Sequence, residues 1–118
     1  MGPLGTGASG ALSGARLSIF RRGRFAELVR RQLDLFVDDE AELLAEADEA
    51  ERAYDGAERE VAEEAYGDFQ LVLDAAAERL IELRETYAAT LDGDLALEYE
   101  AAFDREAARR LPRIRGRL

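Results

Sequence analysis

DGAEREVAEEAYGDFQLVLDAAAERLIELRETYAATL, residues 55–91, runs for 37 residues without a proline, and apolar side chains recur through it at helical spacing. With the turn of an α-helix applied, Val61, Ala62, Ala65, Phe69, Val72, Leu73, Ala76, Leu80, Leu83, Tyr87 and Leu91 fall in one broad sector. A sector that wide faces two neighbours, so the stretch predicts one long helix with a core face. Asp55 and Glu58 stand at capping-box spacing, with Gly56 and Ala57 as the first turn, which sets the start at residue 56. On the far side Leu71, Ala77, Ile81 and Ala88 interrupt a surface of Glu63, Glu64, Asp74, Glu78, Glu82 and Glu85, and read as scattered surface apolars.

Upstream, Phe25, Leu28, Val29, Leu35, Phe36, Leu43, Ala47, Ala50 and Tyr54 trace a stripe that predicts a first helix over residues 24–54, with Gly23 at its boundary. Gln32 and Asp39 fall within that stripe. A carboxylate there must be paired or wet, so Asp39 is expected to meet an arginine or to reach solvent at the bundle edge. Downstream, Asp92-Gly93-Asp94 breaks the pattern, and Asp94 is placed to cap a third helix over residues 94–111. Leu95, Tyr99, Ala102, Phe103 and Ala107 form its apolar face, and Pro112 forbids continuation.

Short connections at residue 55 and at residues 92–94 demand antiparallel neighbours. The fold class is therefore all-α, an antiparallel hairpin of long helices plus a shorter third helix, a three-helix bundle that dimerisation would complete. One helical domain spans residues 15–111. Residues 1–14, MGPLGTGASGALSG, are small turn formers with little to bury and read as a flexible tail. Residues 112–118, PRIRGRL, read as a basic C-terminal tail that frays.

Composition excludes more than it selects. The chain has 118 residues, 47% of them apolar and 36% charged, enough for one core. It has no cysteine and no histidine, and all 16 basic residues are arginine. Thiolate and imidazole chemistry, a Schiff-base amine and an ordinary hydrolase triad are all removed, so no enzyme activity, catalytic residue or cofactor is expected. A carboxylate metal site would rest on pairs such as Glu60 with Glu63 or Glu82 with Glu85. The Glu-X-X-His pairs of ferritin-like bundles lose half their ligands without histidine, so these acids read as solvated faces and no metal site is assigned.

Lengths point to association. At about 1.5 Å per residue the first two helices reach about 45 to 55 Å and the third only about 27 Å, so half of the hairpin lies open. The open half carries Leu43, Ala47, Ala50, Tyr54, Val61, Ala65 and Phe69. A two-helix layer cannot bury both of its faces, so the expected partner is a second copy in a homodimer, or another protein.

Charge divides the chain into three blocks of +5 (residues 1–31), −20 (32–104) and +5 (105–118), for a net −10. The expected function is a small acidic helical interaction or structural protein whose arginine ends meet acidic surface. The alternative is contact with nucleic-acid phosphate through Arg22, Arg24, Arg113, Arg115 and Arg117, where Arg-Gly-Arg occurs at residues 22–24 and 115–117. The acidic body repels a polyanion over about 10 Å at ordinary salt, which disfavours nucleic acid. A basic amphipathic stretch over residues 16–31 could lie on an anionic membrane, but it serves more economically as the start of a bundle helix. With no secretory pattern and no apolar run long enough to span a bilayer, the expected location is cytoplasmic.

Overall fold

A computed structural model gives the architecture, and it describes residues 23–118. Every regular element among them is helical: α1 (Ala26–Asp39), α2 (Ala41–Asp55), α3 (Arg59–Ala88), α4 (Gly93–Arg110) and a 3-10 helix, η1 (Pro112–Arg117). Residue pairings fix the directions. Glu40 meets Arg79 while Tyr54 meets Tyr66 and Phe69, so α2 and α3 run antiparallel. Arg84 meets Asp104 and Tyr87 meets Tyr99, so α3 and α4 are antiparallel too. Arg24 pairs with Glu98 and Asp34 with Arg110, which makes α1 and α4 parallel.

The single first helix expected over residues 24–54 is two helices. Glu40 lies between them at φ −106° and ψ 27°, out of the helical well, although its amide still bonds the Phe36 carbonyl at 2.8 Å. This one loosened turn lets α2 follow α3 closely while α1 departs from it, and α4 packs against both α1 and α3. No glycine or proline marks the break. Wedging by α4 is the physical reason, and the Arg79–Glu40 ion pair at 2.8 Å fixes the turn to α3.

The start of α3 also differs from expectation. Asp55 is the last residue of α2, so it cannot cap α3. The Gly56 and Ala57 amides bond the Arg52 and Tyr54 carbonyls at 3.0 and 3.1 Å, and the extended residue before α3 is Glu58, whose side chain makes no cap hydrogen bond. Asp92, not Asp94, precedes α4, its carbonyl receiving the Ala96 amide at 2.7 Å.

The C-terminal segment does not fray. Leu111 leaves the helical well at φ −130° and ψ 65°, as the residue before a proline must, and Pro112 then opens η1 at a position where its missing amide costs nothing. Ile114 is buried, and η1 packs on α3 and α4. Basic composition suggested solvation, but one isoleucine placed to enter the core outweighs it.

The core runs through Phe25, Val29, Leu33, Phe36, Leu73, Ala76, Leu80, Tyr99, Phe103 and Ala107. Leu33 is fully buried and Leu35, assigned to the apolar stripe from sequence, faces out at 61% exposure. The true α1 stripe is Phe25, Val29, Leu33 and Phe36, a three-to-four spacing that leaves position 35 about 100° away. Ala77 and Ala88 are buried rather than superficial. They share a helical stripe with Asp74 and Arg84, which reach Arg117 of η1 and Asp104 of α4, so this side of α3 seats those elements.

Candidate interaction surfaces

The hairpin tip, where α2 ends and α3 begins, is an aromatic ladder running outward from the core. Phe69 at its base is buried. The Tyr54 ring stacks 6.4 Å from Phe69 and meets Tyr66 edge-on at 5.2 Å. Outward from that base, Tyr54 is 37% exposed, Tyr66 48% and Val61 51%. Of the seven residues assigned to an open interface, the structure divides two groups. Ala47 and Phe69 are buried, and Leu43 and Ala50 pack half-buried against the core. Tyr54 and Val61 remain in solvent, with Ala65 half-buried between them on the tip.

Sequence reasoning missed Tyr66, which completes the ladder. The available signal was its spacing from Phe69: positions three apart share a helix face.

η1 covers Ala47. Ile114, Leu111 and Pro112 close on Leu44, Ala47, Leu73 and Ala76, leaving only a cleft of about 100 Å³. Two arginines fasten this cover to both arms of the hairpin. Arg113 donates to Asp48 at 2.7 Å and to Glu51 at 2.9 Å on α2. Arg117 donates to Asp74 at 2.7 Å and to Gln70 on α3.

The five arginines considered as anion contacts therefore do not form one patch. Arg113 and Arg117 are neutralised within the chain, and Arg24 lies 3.7 Å from Glu98 at the opposite end of α4. Arg115 is exposed and has no ion pair among the described residues. Arg22 lies outside the described residues.

Where α1 leaves α3, an open groove of about 690 Å³ remains between them. Leu35, Phe36 and Leu83 form its apolar part, while Asp39, Glu40 and Glu82 line it with carboxylates and Arg79 is held by Glu40. Asp39 is exposed here. Its place in the stripe is tolerated because the groove is wet.

Tyr99 sits at the other end of the molecule among Phe25, Tyr87 and Phe103, with ring centroids 4.7 to 5.9 Å away. Its hydroxyl donates to Gln32 Oε1 at 2.7 Å, which gives Gln32 its partner. Burial pushes the phenol up to about 12. A phenol held that firmly in its neutral form is a structural linker, ill suited to proton transfer near neutrality.

Burial works against the Arg84 charge, but hydrogen bonds to Asp104 and Glu85 outweigh it and the guanidinium is held above its ordinary value. Among the described residues no group of three or more acids is disposed to hold a metal ion, and no helix is long and apolar enough to cross a membrane. Comparison of the chain with protein-family models, curated proteins and solved structures finds no match.

Proposed function

We propose that this chain is a non-catalytic helical interaction protein that self-associates through its hairpin tip, a second copy adding its own α2–α3 pair to make a four-helix core there. The supporting observation is the ladder of Tyr54, Val61 and Tyr66, large apolar side chains left in solvent together at one end. Tyrosine is favoured at such surfaces because it brings area and a polar tip at small entropic cost.

Charge sets the conditions. The tip carries Asp55, Glu58, Glu60, Glu63 and Glu64, which repel their counterparts on another copy. Arg52 and Arg59, both exposed there, supply opposite charge for cross-subunit pairing. Association is therefore expected to strengthen with salt, as screening removes the net repulsion and leaves apolar contact.

Light scattering on the full chain tests this reading. A dimer at tens of micromolar that Val61→Glu converts to a monomer with unchanged helicity is the expected outcome. A monomer at every concentration and ionic strength would overturn it.

A further inference from the structure

We propose that the notch between α1 and α4 binds a small phosphate monoester, its phosphoryl oxygens between the Arg30 and Arg105 guanidiniums and its organic group on Ala26 and Ala102. The notch lies away from the hairpin tip, and the proposal does not depend on self-association.

Unpaired charge carries the assignment. The chain holds 26 acids against 16 basic residues, so carboxylates are in excess everywhere an arginine reaches. Arg30 and Arg105 are nevertheless exposed, line one notch from opposite helices, and have no ion pair among the described residues. Their neighbouring acids are engaged elsewhere. Glu27 is taken by Arg31 at 2.9 Å, Asp34 by Arg110 at 2.8 Å and Asp104 by Arg84 at 2.6 Å. Glu106 also lines the notch, but Arg109 holds both of its oxygens. Those hydrogen bonds outweigh burial and keep the Glu106 carboxyl below the usual carboxylate range, with Arg110 and Arg30 adding to the pull. The field in the notch is therefore positive although the chain carries −10. Residues 1–22 contain no acid to supply the missing partner. Two like charges sharing one notch repel, and an anion bound between them removes that cost.

Shape narrows the ligand class. The notch has a volume of about 290 Å³, and its floor is Ala26, Val29 and Ala102, short side chains that leave room for a ring or a short chain. Small-molecule sites begin at about this size. Two guanidinium forks match a doubly charged oxyanion, and a phosphate monoester is close to a dianion at neutral pH with an organic group left for the apolar floor. A long polyanion meets the acidic body, whereas a small dianion touches the guanidiniums while most of the acidic surface lies beyond the screening length of about 10 Å.

Phenyl phosphate is the probe. Calorimetric titration of the full chain at about 0.1 M salt is expected to show one saturable site with a Kd of about 1 mM or below. Arg30→Gln and Arg105→Gln break no ion pair and should leave helicity unchanged, yet each is expected to weaken binding at least about tenfold through loss of a charge-assisted contact. Arg115→Gln, which removes an exposed arginine from η1, is expected to leave the affinity within about twofold, since a distant charge is screened. Ala26→Leu fills the floor and is expected to weaken phenyl phosphate while sparing inorganic phosphate. No saturation below about 10 mM would overturn the proposal, and so would equal losses in Arg115→Gln and Arg105→Gln.

Vesicles of phosphatidic acid separate two sources of the same chemistry. Sedimentation of the chain with them, abolished by Arg105→Gln and reversed by phenyl phosphate, would assign the ester to a lipid headgroup. Binding of phenyl phosphate without sedimentation would assign it to a free ester.

Discussion

The Arg113 guanidinium and the Asp48 carboxylate meet 2.7 Å apart, joining the C-terminal 3-10 helix to the outer face of α2. Both are partly in water, so the pair positions η1 more than it stabilises it. Arg113→Ala is expected to cost about 1 kcal/mol or less, a loss that disappears in high salt. Ile114→Ala, three atoms removed from a closed apolar site, is expected to cost about 2 to 4 kcal/mol independent of salt. Urea denaturation of both variants at low and high ionic strength measures the contrast. A larger loss for Arg113→Ala would show that charge, not the isoleucine, holds the cover down.

Gly67 lies exposed within α3, and a Cβ there meets nothing within 4 Å. Glycine inside a helix leaves the unfolded chain too much freedom, so Gly67→Ala is expected to stabilise the protein by about 1 kcal/mol. Thermal denaturation should show a rise in Tm. A fall would mean that α3 needs to bend at this point.

Ala76 is fully buried beside the seat of η1, in a stretch where small side chains let helices approach. Ala76→Leu adds three carbons with only about 100 Å³ of cleft nearby to receive them. Overpacking of this kind is expected to cost about 1 to 3 kcal/mol and to loosen η1 first. Hydrogen exchange of residues 113–118, faster than in the parent while α1 amides are unchanged, is the expected signature.

Tyr99 gives the fold an alkaline limit. Its folded value of about 12 lies above the ordinary phenol value of about 10, so the folded state holds the proton more tightly than the unfolded chain does. The resulting stability is fully present below pH about 10 and is lost as pH rises from there through about 12, at about 1.4 kcal/mol per pH unit. Tyr99→Phe is expected to remove the latest-ionising phenol from an absorbance titration and to flatten this limb of the stability curve. It should cost about 1 kcal/mol at neutral pH, because Gln32 loses its donor.

Much of the fold was legible where periodicity and punctuation coincide. The Asp92-Gly93-Asp94 break and Pro112 bracket a third helix over residues 94–111, against Gly93–Arg110 in the structure, and Tyr99, Phe103 and Ala107 lie on its buried face. The break at Glu40 left no trace, because a one-residue departure from helical ψ needs no special side chain and is imposed by α4 from outside. The stripe read from the sequence took in Leu35 and passed over Leu33, whereas Leu33 is the buried one, in three-to-four spacing with Val29 and Phe36. At the tip, Tyr54 and Val61 were found because helix lengths differ. The burial of Ala47 was not foreseen, because a short basic segment gives no sign that its one isoleucine will close a gap.

The loosened turn at Glu40 has a mechanical consequence. On one side of it α2 and η1 pack directly on α3, and on the other α4 packs on α3 and carries α1 on its own flank, so the two ends of the molecule are built differently around a common spine. Only that spine, the turn and the continuation of α4 into η1 carry load from one to the other. Force or ligand applied at the hairpin tip would be absorbed there, leaving the cluster around Tyr99 undisturbed unless α3 itself yields.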